Sequence, residues 1–257
     1  MFFDTHTHLE DKKFKEDFKD VMESIRESDT SLILNVGFNR QHITDSLAIS
    51  KAYDFVYSSV GLHPSDSLEA QDDSYYEMLY DYTKEPKVVA IGETGLDYYW
   101  DRAPRDHQKK VFINQIHLAK ELRMPLIIHD RDAHGDILEI VKKEKAGVNG
   151  GVFHAFSGSL EMAQEVIKEG FHVSVGGVIT FQNAKKLVQI VKEIPLEHLL
   201  LETDSPYLTP HPFRGKRNDP TKVKYVAEKI AEIKGLSVTE VAEQTMKNGK
   251  ELFSIEN

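Results

Sequence analysis

One unit recurs along the whole chain. A short β-rich apolar run ends in a polar residue, and a longer stretch of helical pattern follows, with charges on one face. The apolar runs are MFFDTHTH (1–8), SLILNVG (31–37), FVYSSVGLH (55–63), KVVAIGE (87–93), PLIIHD (125–130), GVFHAF (151–156), FHVSVGG (171–177) and HLLLETD (198–204). The helix-like stretches cover 12–28, 41–52, 73–83, 105–122, 133–145, 160–169, 183–193 and 220–234. A last one begins at Ser237, where Ser237 and Glu240 have capping-box spacing.

Strand–helix alternation predicts parallel strands joined by right-handed crossovers. Runs this apolar suit strands buried on both faces. Eight units close into a (β/α)8 TIM-like barrel, here with an extra C-terminal helix. A doubly wound open sheet competes, but it would usually carry a glycine-rich phosphate turn after its first strand. The first run here ends in THTHLE instead. The 257 residues show no low-complexity linker or break in composition, so one barrel domain spanning 1–257 is expected.

There is no cysteine, which excludes disulfides, thiolate–metal sites and a cysteine nucleophile, and fits a reducing compartment. No export signal is recognisable, and no apolar stretch approaches the roughly 20 residues of a membrane span. A soluble, cytoplasmic protein with no membrane association and no obligate protein partner is expected. The net charge of −10 argues against a general nucleic-acid-coating role but leaves room for a locally basic cleft.

In such a barrel the reactive residues sit at the C-terminal ends of the strands. In order, those ends carry His6 and His8, His63, Glu93, His129, His154, and then Glu202 with Asp204. Unpaired buried polar groups are costly, so their recurrence at this one position points to function. Alternate strand residues face the same way. His6 and His8 can therefore grip one cation, and His129 with His154 another. Glu93 lies between the pairs and has two oxygens with which to bridge. Asp204, on the strand that closes against the first, can reach the first cation and its water. Two cations about 3.5–4 Å apart are a recurring hydrolytic device. Asp4 shares the parity of His6 and His8 but lies deeper and reads as structural.

With these residues assembled, the sequence resembles the TatD-type deoxyribonucleases of the amidohydrolase superfamily. The motifs are DTHTHL, GLHP, IGETGLDYY, HQ at 107–108, IIHDRDAH, HAFSG, LLETDSPYL and PFRGKRNDP, from residue 1 to about 253. HxH alone is weak, whereas GETGLD with ETDSPYL and RGKRNDP is specific. The resemblance implies a metal-dependent hydrolase on a TIM-like barrel, with His6, His8, Glu93, His129, His154 and Asp204 as ligands. It implies that Glu93 bridges where related binuclear enzymes use a carbamylated lysine, and it implies magnesium-supported DNA cleavage. Histidine–carboxylate ligands suit zinc, nickel, manganese or iron as well, so two divalent cations (Mg, Mn, Zn or Ni) are expected per chain.

The expected chemistry is attack by an activated water on a phosphodiester. Asp204 serves as general base, and His63 stabilises developing charge. Glu202 reads either as an orienter or accessory ligand, or as half of a buried ion pair with a lysine or arginine. Arg131 and the loop residues Arg214, Lys216 and Arg217 are candidate phosphate contacts. Tyr98, Tyr99 and Trp100 could stack on bases or pack as a lid. The remaining histidines, such as His42, read as surface or packing residues, with His107 and His134 as exceptions because they sit near the mouth loops. The expected substrate is DNA, single-stranded or at its 3′ ends. The same residues would also serve an amide, a lactone or an aminoacyl-tRNA ester, and a non-catalytic binding barrel is the weakest alternative.

Overall fold

A computed structural model describes residues 1–100 and 102–256. Its strands are β1 (Phe2–Thr7), β2 (Thr30–Gly37), β3 (Val56–Val60), β4 (Val88–Asp97), β5 (Leu126–Arg131), β6 (Gly151–Phe153), β7 (Phe171–Val175) and β8 (Leu199–Leu201). They pair in parallel and in sequence order within one eight-stranded sheet. β1 meets the segment just past β8 at an isolated parallel bridge, Thr7 with Ser205. Two backbone bonds tighten that seam: Asp204 N–H donates to His6 O at 2.9 Å, and His8 N–H donates to Ser205 O at 2.8 Å. The result is the nearly closed (β/α)8 barrel that the eightfold alternation predicts.

The helices are α1 (Phe18–Arg26), α2 (Arg40–Ala52), α3 (Ser74–Tyr82), α4 (Arg105–Leu122), α5 (His134–Glu144), α6 (Leu160–Lys168), α7 (Lys185–Glu193), α8 (Val223–Lys234) and α9 (Val238–Leu252). Two cores follow from strand alternation. Phe3, Leu34, Val36, Ala90, Ile127, Val152 and Leu200 fill the barrel. Their neighbours of opposite parity, such as Ile91, Ile128, Val173 and Leu201, pack outward against the helices. α9 is the expected extra helix, and Ser237 with Glu240 forms its capping box. It packs against β1, where a Cβ at Gly249 would stand 2.6 Å from the Phe3 ring, so only glycine permits the approach. Phe253 then meets Phe3 edge-on at 6.1 Å and joins the barrel core.

The ladders differ in length from the predicted runs. β3, β6, β7 and β8 stop earlier, so His63, His154, Glu202 and Asp204 lie just past the hydrogen-bonded sheet. The chain turns out of the barrel there: Ala155 has φ 42° and Asp204 φ 53°, in the left-handed region that non-glycine residues rarely occupy. β4 runs longer, through a register shift between Ile91 and Thr94. Gly95 makes this possible, because a Cβ there would stand 2.0 Å from His129 O. The predicted helix 12–28 divides into a 3-10 turn at Lys12–Phe14 and α1, with the Asp11 side chain capping the turn. The stretch from 220 likewise begins with a 3-10 turn before α8. Among the described residues no helix is long and apolar enough to cross a membrane.

Candidate metal centre

β1 carries His6, His8 follows directly after its last residue, and their Nε2 atoms lie 3.3 Å apart. β4 brings Glu93 between them and the histidines of β5 and β6. Glu93 Oε2 faces the β1 pair, at 3.5 Å from His6 Nε2 and 3.9 Å from His8 Nε2. Glu93 Oε1 faces the other pair, at 2.8 Å from His129 Nδ1 and 2.9 Å from His154 Nε2. One carboxyl group thus presents one oxygen to each histidine pair. Asp204 arrives from the other side of the barrel seam, its Oδ1 3.6 Å from His8 Nε2 and 3.9 Å from His6 Nε2. The His6 and His154 rings stack at 3.9 Å, which joins the two pairs.

The residues behind this layer fix how the rings present themselves. His8 Nδ1 meets Val36 O at 3.1 Å; a carbonyl only accepts, so Nδ1 carries the proton and Nε2 is turned to the centre. His129 Nε2 meets Asp97 Oδ2 at 3.0 Å, leaving Nδ1 turned to Glu93. Asp97 is itself held by the Tyr99 and Trp100 N–H groups, each at 3.0 Å. Glu10 lies near His8 Nδ1 at 3.7 Å and accepts from Asn35 Nδ2 at 2.7 Å, with His42 Nδ1 at 3.1 Å. Asp97 and Glu10 were not singled out from sequence. The available signal was parity: Glu10 continues the series His6, His8, and Asp97 continues Glu93, Gly95. Asp4 is structural as expected, accepting from Thr203 N–H at 2.8 Å and Thr203 Oγ1 at 2.6 Å.

The charges are arranged to receive cations. Burial alone would raise the Glu93 carboxyl, but His154, His129 and His6 hold it well below the usual carboxylate range. Burial is likewise outweighed at Asp204, which His8, His6 and His154 hold down. His63 is pushed to about 3 by its burial and by His129 beside it, so it stays neutral. Among the described residues, four overlapping triads bring their ligand atoms within 4.8 Å of one another: His6–His8–Glu93, His6–His154–Glu202, His63–Asp97–His129 and Glu93–His129–His154. His6 Nδ1, His154 Nδ1 and Glu202 Oε2 are buried without hydrogen-bond partners. Burial would lower His8, His129 and His154, but the carboxyl groups beside them raise all three above the ordinary histidine value; imidazoles that give up those protons to a cation, with ionised carboxylates at this spacing, fit divalent cations.

The cluster floors a cleft of about 750 Å³. Arg131, Arg102, Trp100, Tyr207 and Asp66 stand in its walls. Of the basic residues expected to meet phosphate, Arg131 is placed there, its guanidinium 4.2 Å from the centre of the Tyr99 ring. Arg217 does not stand in the cleft wall; it forms a two-pronged pair with Asp17, at 2.7 and 2.6 Å, and donates to Lys13 O. That partner was invisible from sequence because it is 200 residues away. Arg214 lies over the Phe181 ring at 4.0 Å, and neither it nor Lys216 walls the cleft. Tyr98 is tied down by its hydroxyl to Asp136 at 2.5 Å, whereas Tyr99 and Trp100 are 55% and 53% exposed. Glu202 accepts from Ala155 N–H at 2.8 Å and lies 3.7 Å from His154 Nδ1; among the described residues this replaces the lysine or arginine partner of the alternative reading.

The TatD-related DNase family matches residues 3–254. The chain is 49% identical over 255 residues to the metal-dependent hydrolase YabD of Bacillus subtilis, covering 99% of this chain and 100% of that protein. It is 38% identical to the metal-dependent hydrolase YcfH of Escherichia coli, covering 98% and 96%. Among solved structures it resembles YjjV, a TatD homolog from E. coli, at 31% identity and a TM-score of 0.92, covering 99% and 98%. An organophosphorus hydrolase of Deinococcus radiodurans shares the fold at 11% identity and a TM-score of 0.67. Barrel, mouth cluster and relatives together define a metal-dependent hydrolase. Within that class, the chain belongs to the TatD-related DNase family.

Proposed function

We propose that the protein is a divalent-metal-dependent deoxyribonuclease that hydrolyses phosphodiesters at the 3′ ends of DNA, working in the cytoplasm. The observation that carries the reading is Glu93, whose two oxygens face two different histidine pairs. His6, His8 and Asp204 would hold one cation, His129 and His154 the other, with Glu93 shared between them. Cations bound there would supply Lewis-acid polarisation of the phosphate and a water of lowered pKa. Asp204, kept ionised by its histidine neighbours, accepts the proton of the attacking water. His63 is neutral and stands beside Glu93 and His129, where its Nε2 steadies the phosphate or the leaving oxygen. Arg131 and Arg102 draw the phosphate into the cleft, and exposed Trp100 offers a stacking face for a base. The DNA substrate rests on the family and on this basic rim, since the same centre would also cleave an amide, a lactone or an aminoacyl ester.

The test is metal-stripped protein given back Mg²⁺, Mn²⁺ or Zn²⁺ separately, with single-stranded DNA of defined 3′ end. Metal-dependent shortening from the 3′ end is expected, and Asp204→Asn should abolish it. Undiminished cleavage by Asp204→Asn, or none by the reconstituted wild type, would sink the nuclease reading.

A further inference from the structure

Asp97 ends β4, and only 2% of its surface is exposed. Among the described residues it forms no ion pair with a lysine or arginine. Its two oxygens serve two different parts of the molecule. Oδ2 lies 3.0 Å from Nε2 of His129, whose Nδ1 faces Glu93 and the second cation position. Oδ1 accepts the Tyr99 and Trp100 N–H groups, each at 3.0 Å. Trp100 stands in the cleft wall with Arg131, whose guanidinium lies 4.2 Å from the Tyr99 ring centre and 5.7 Å from that of Trp100.

The corner itself is held by other groups. The buried Gln108 of α4 accepts the Asp97 N–H at 2.9 Å and donates to Asp97 O at 3.1 Å and Ala103 O at 2.9 Å. Tyr98 is fixed on either side of its own Cα, by its N–H to Arg131 O at 2.9 Å and by its hydroxyl to Asp136. Main chain and flanks are thus secured without the Asp97 carboxyl group. What that group alone joins is a candidate metal ligand and the backbone under two exposed aromatic rings.

We infer that Asp97 is a positioning residue that couples the second cation to the aromatic wall of the cleft. The inference rests on the cation assignment proposed above and is independent of which bond is cut. To ligate through Nδ1, His129 must carry its proton on Nε2 and donate it to Asp97. With Nδ1 ligated the ring is fixed and more positive, and Nε2–H becomes a stronger donor. The carboxyl group is planar and rigid, so holding Oδ2 also holds Oδ1 and the two amides on it. Tyr99 and Trp100 are then set against Arg131 where substrate enters. The coupling is reciprocal: whatever stacks on Trp100 tightens the second cation by the same factor. An asparagine at 97 has one accepting oxygen and serves the ring or the two amides, not both.

The experiment titrates the metal-stripped full chain with Zn²⁺ alone. Trp100 is the only tryptophan, so its emission and its quenching by acrylamide report this position. Bound zinc per chain is measured in parallel. Filling the wild type should shift the emission to the blue and lower the quenching constant. His8→Ala, which disables the β1 position, should keep that change, and His129→Ala should lose it. Asp97→Asn should bind the second cation about 10–100-fold more weakly, with the first unaffected. At zinc concentrations high enough to fill it, Asp97→Asn should show no change in Trp100. An unchanged Trp100 signal as wild type fills overturns the inference alone. So does a full change in Asp97→Asn at equal occupancy, or a change that is lost in His8→Ala and kept in His129→Ala. If Asp97→Asn does not fold, the contrast between His8→Ala and His129→Ala decides. No zinc bound by wild type would overturn the cation assignment and the coupling with it.

Discussion

Glu93 and Asp204 do different work with the same functional group. Glu93 is surrounded by histidine nitrogens from β1, β5 and β6, so removing one of its charged oxygens weakens both cation positions together. Glu93→Gln should therefore bind less metal at both positions, measured as metal per chain after dialysis. Asp204 stands at the seam, and among the described residues its ion-pair contacts are with the β1 pair. Asp204→Asn should keep metal at the β5–β6 pair while kcat falls by about 10²–10⁴, the usual contribution of a positioned base. A mutant that loses all its metal would contradict this division. His172 offers a pH test outside the centre. Burial and the nearby His198 lower its pKa below the ordinary histidine value. The unfolded chain then binds the proton more readily than the folded one. The associated stability is present above about pH 6.5 and is lost as pH falls through that value. Urea unfolding at pH 7 and pH 5 should show the loss, and His172→Gln should lessen it.

Among the elements, the loop after β8 and the end of β5 contrast most. Both carry arginines, and both looked equally suited to phosphate. The β8 loop spends Arg217 on Asp17, next to the turn that precedes α1, so it staples the barrel's first and last units. Arg217→Ala should lower stability slightly and leave KM for DNA unchanged. Arg131 at the end of β5 has aromatic rings beside it and no carboxylate pair among the described residues. Arg131→Ala should raise KM and leave unfolding within about 0.5 kcal/mol of wild type. The two curves exchanged would refute the assignment. At the opposite end of the barrel, Phe253 is fully buried against Phe3. Phe253→Ala should cost about 3–5 kcal/mol in chemical denaturation through the cavity it leaves, with the cleft's KM untouched.

For the molecule as a whole, four histidines and two carboxyl groups gather at one mouth, all in or near mutual contact. A cation that binds only the folded chain adds stability by mass action, about 2.7 kcal/mol at a hundredfold excess over Kd. Stripping metal should lower the melting temperature, and adding back the working cation should restore it. Histidine ligands must be neutral to bind, so metal content should drop as pH falls below about 6. Metal retained in full at pH 5 would count against histidine ligation.

The order of elements and the ligand-type residues could be read directly from the chain, because both rest on local patterns: apolar runs, helical periodicity, and a polar residue where each run stops. Depth along the first strand even placed Asp4 as structural, and parity would have placed Glu10 and Asp97 behind the centre. Partners across the barrel could not be read that way. Arg217 meets Asp17 and Glu202 meets Ala155 N–H over separations that carry no periodic signal. Those contacts depend on how the strands tilt, where each ladder stops and where the chain turns out at Ala155 and Asp204. The residue types specify what can bind at the mouth; closure of the barrel specifies which atoms face one another there.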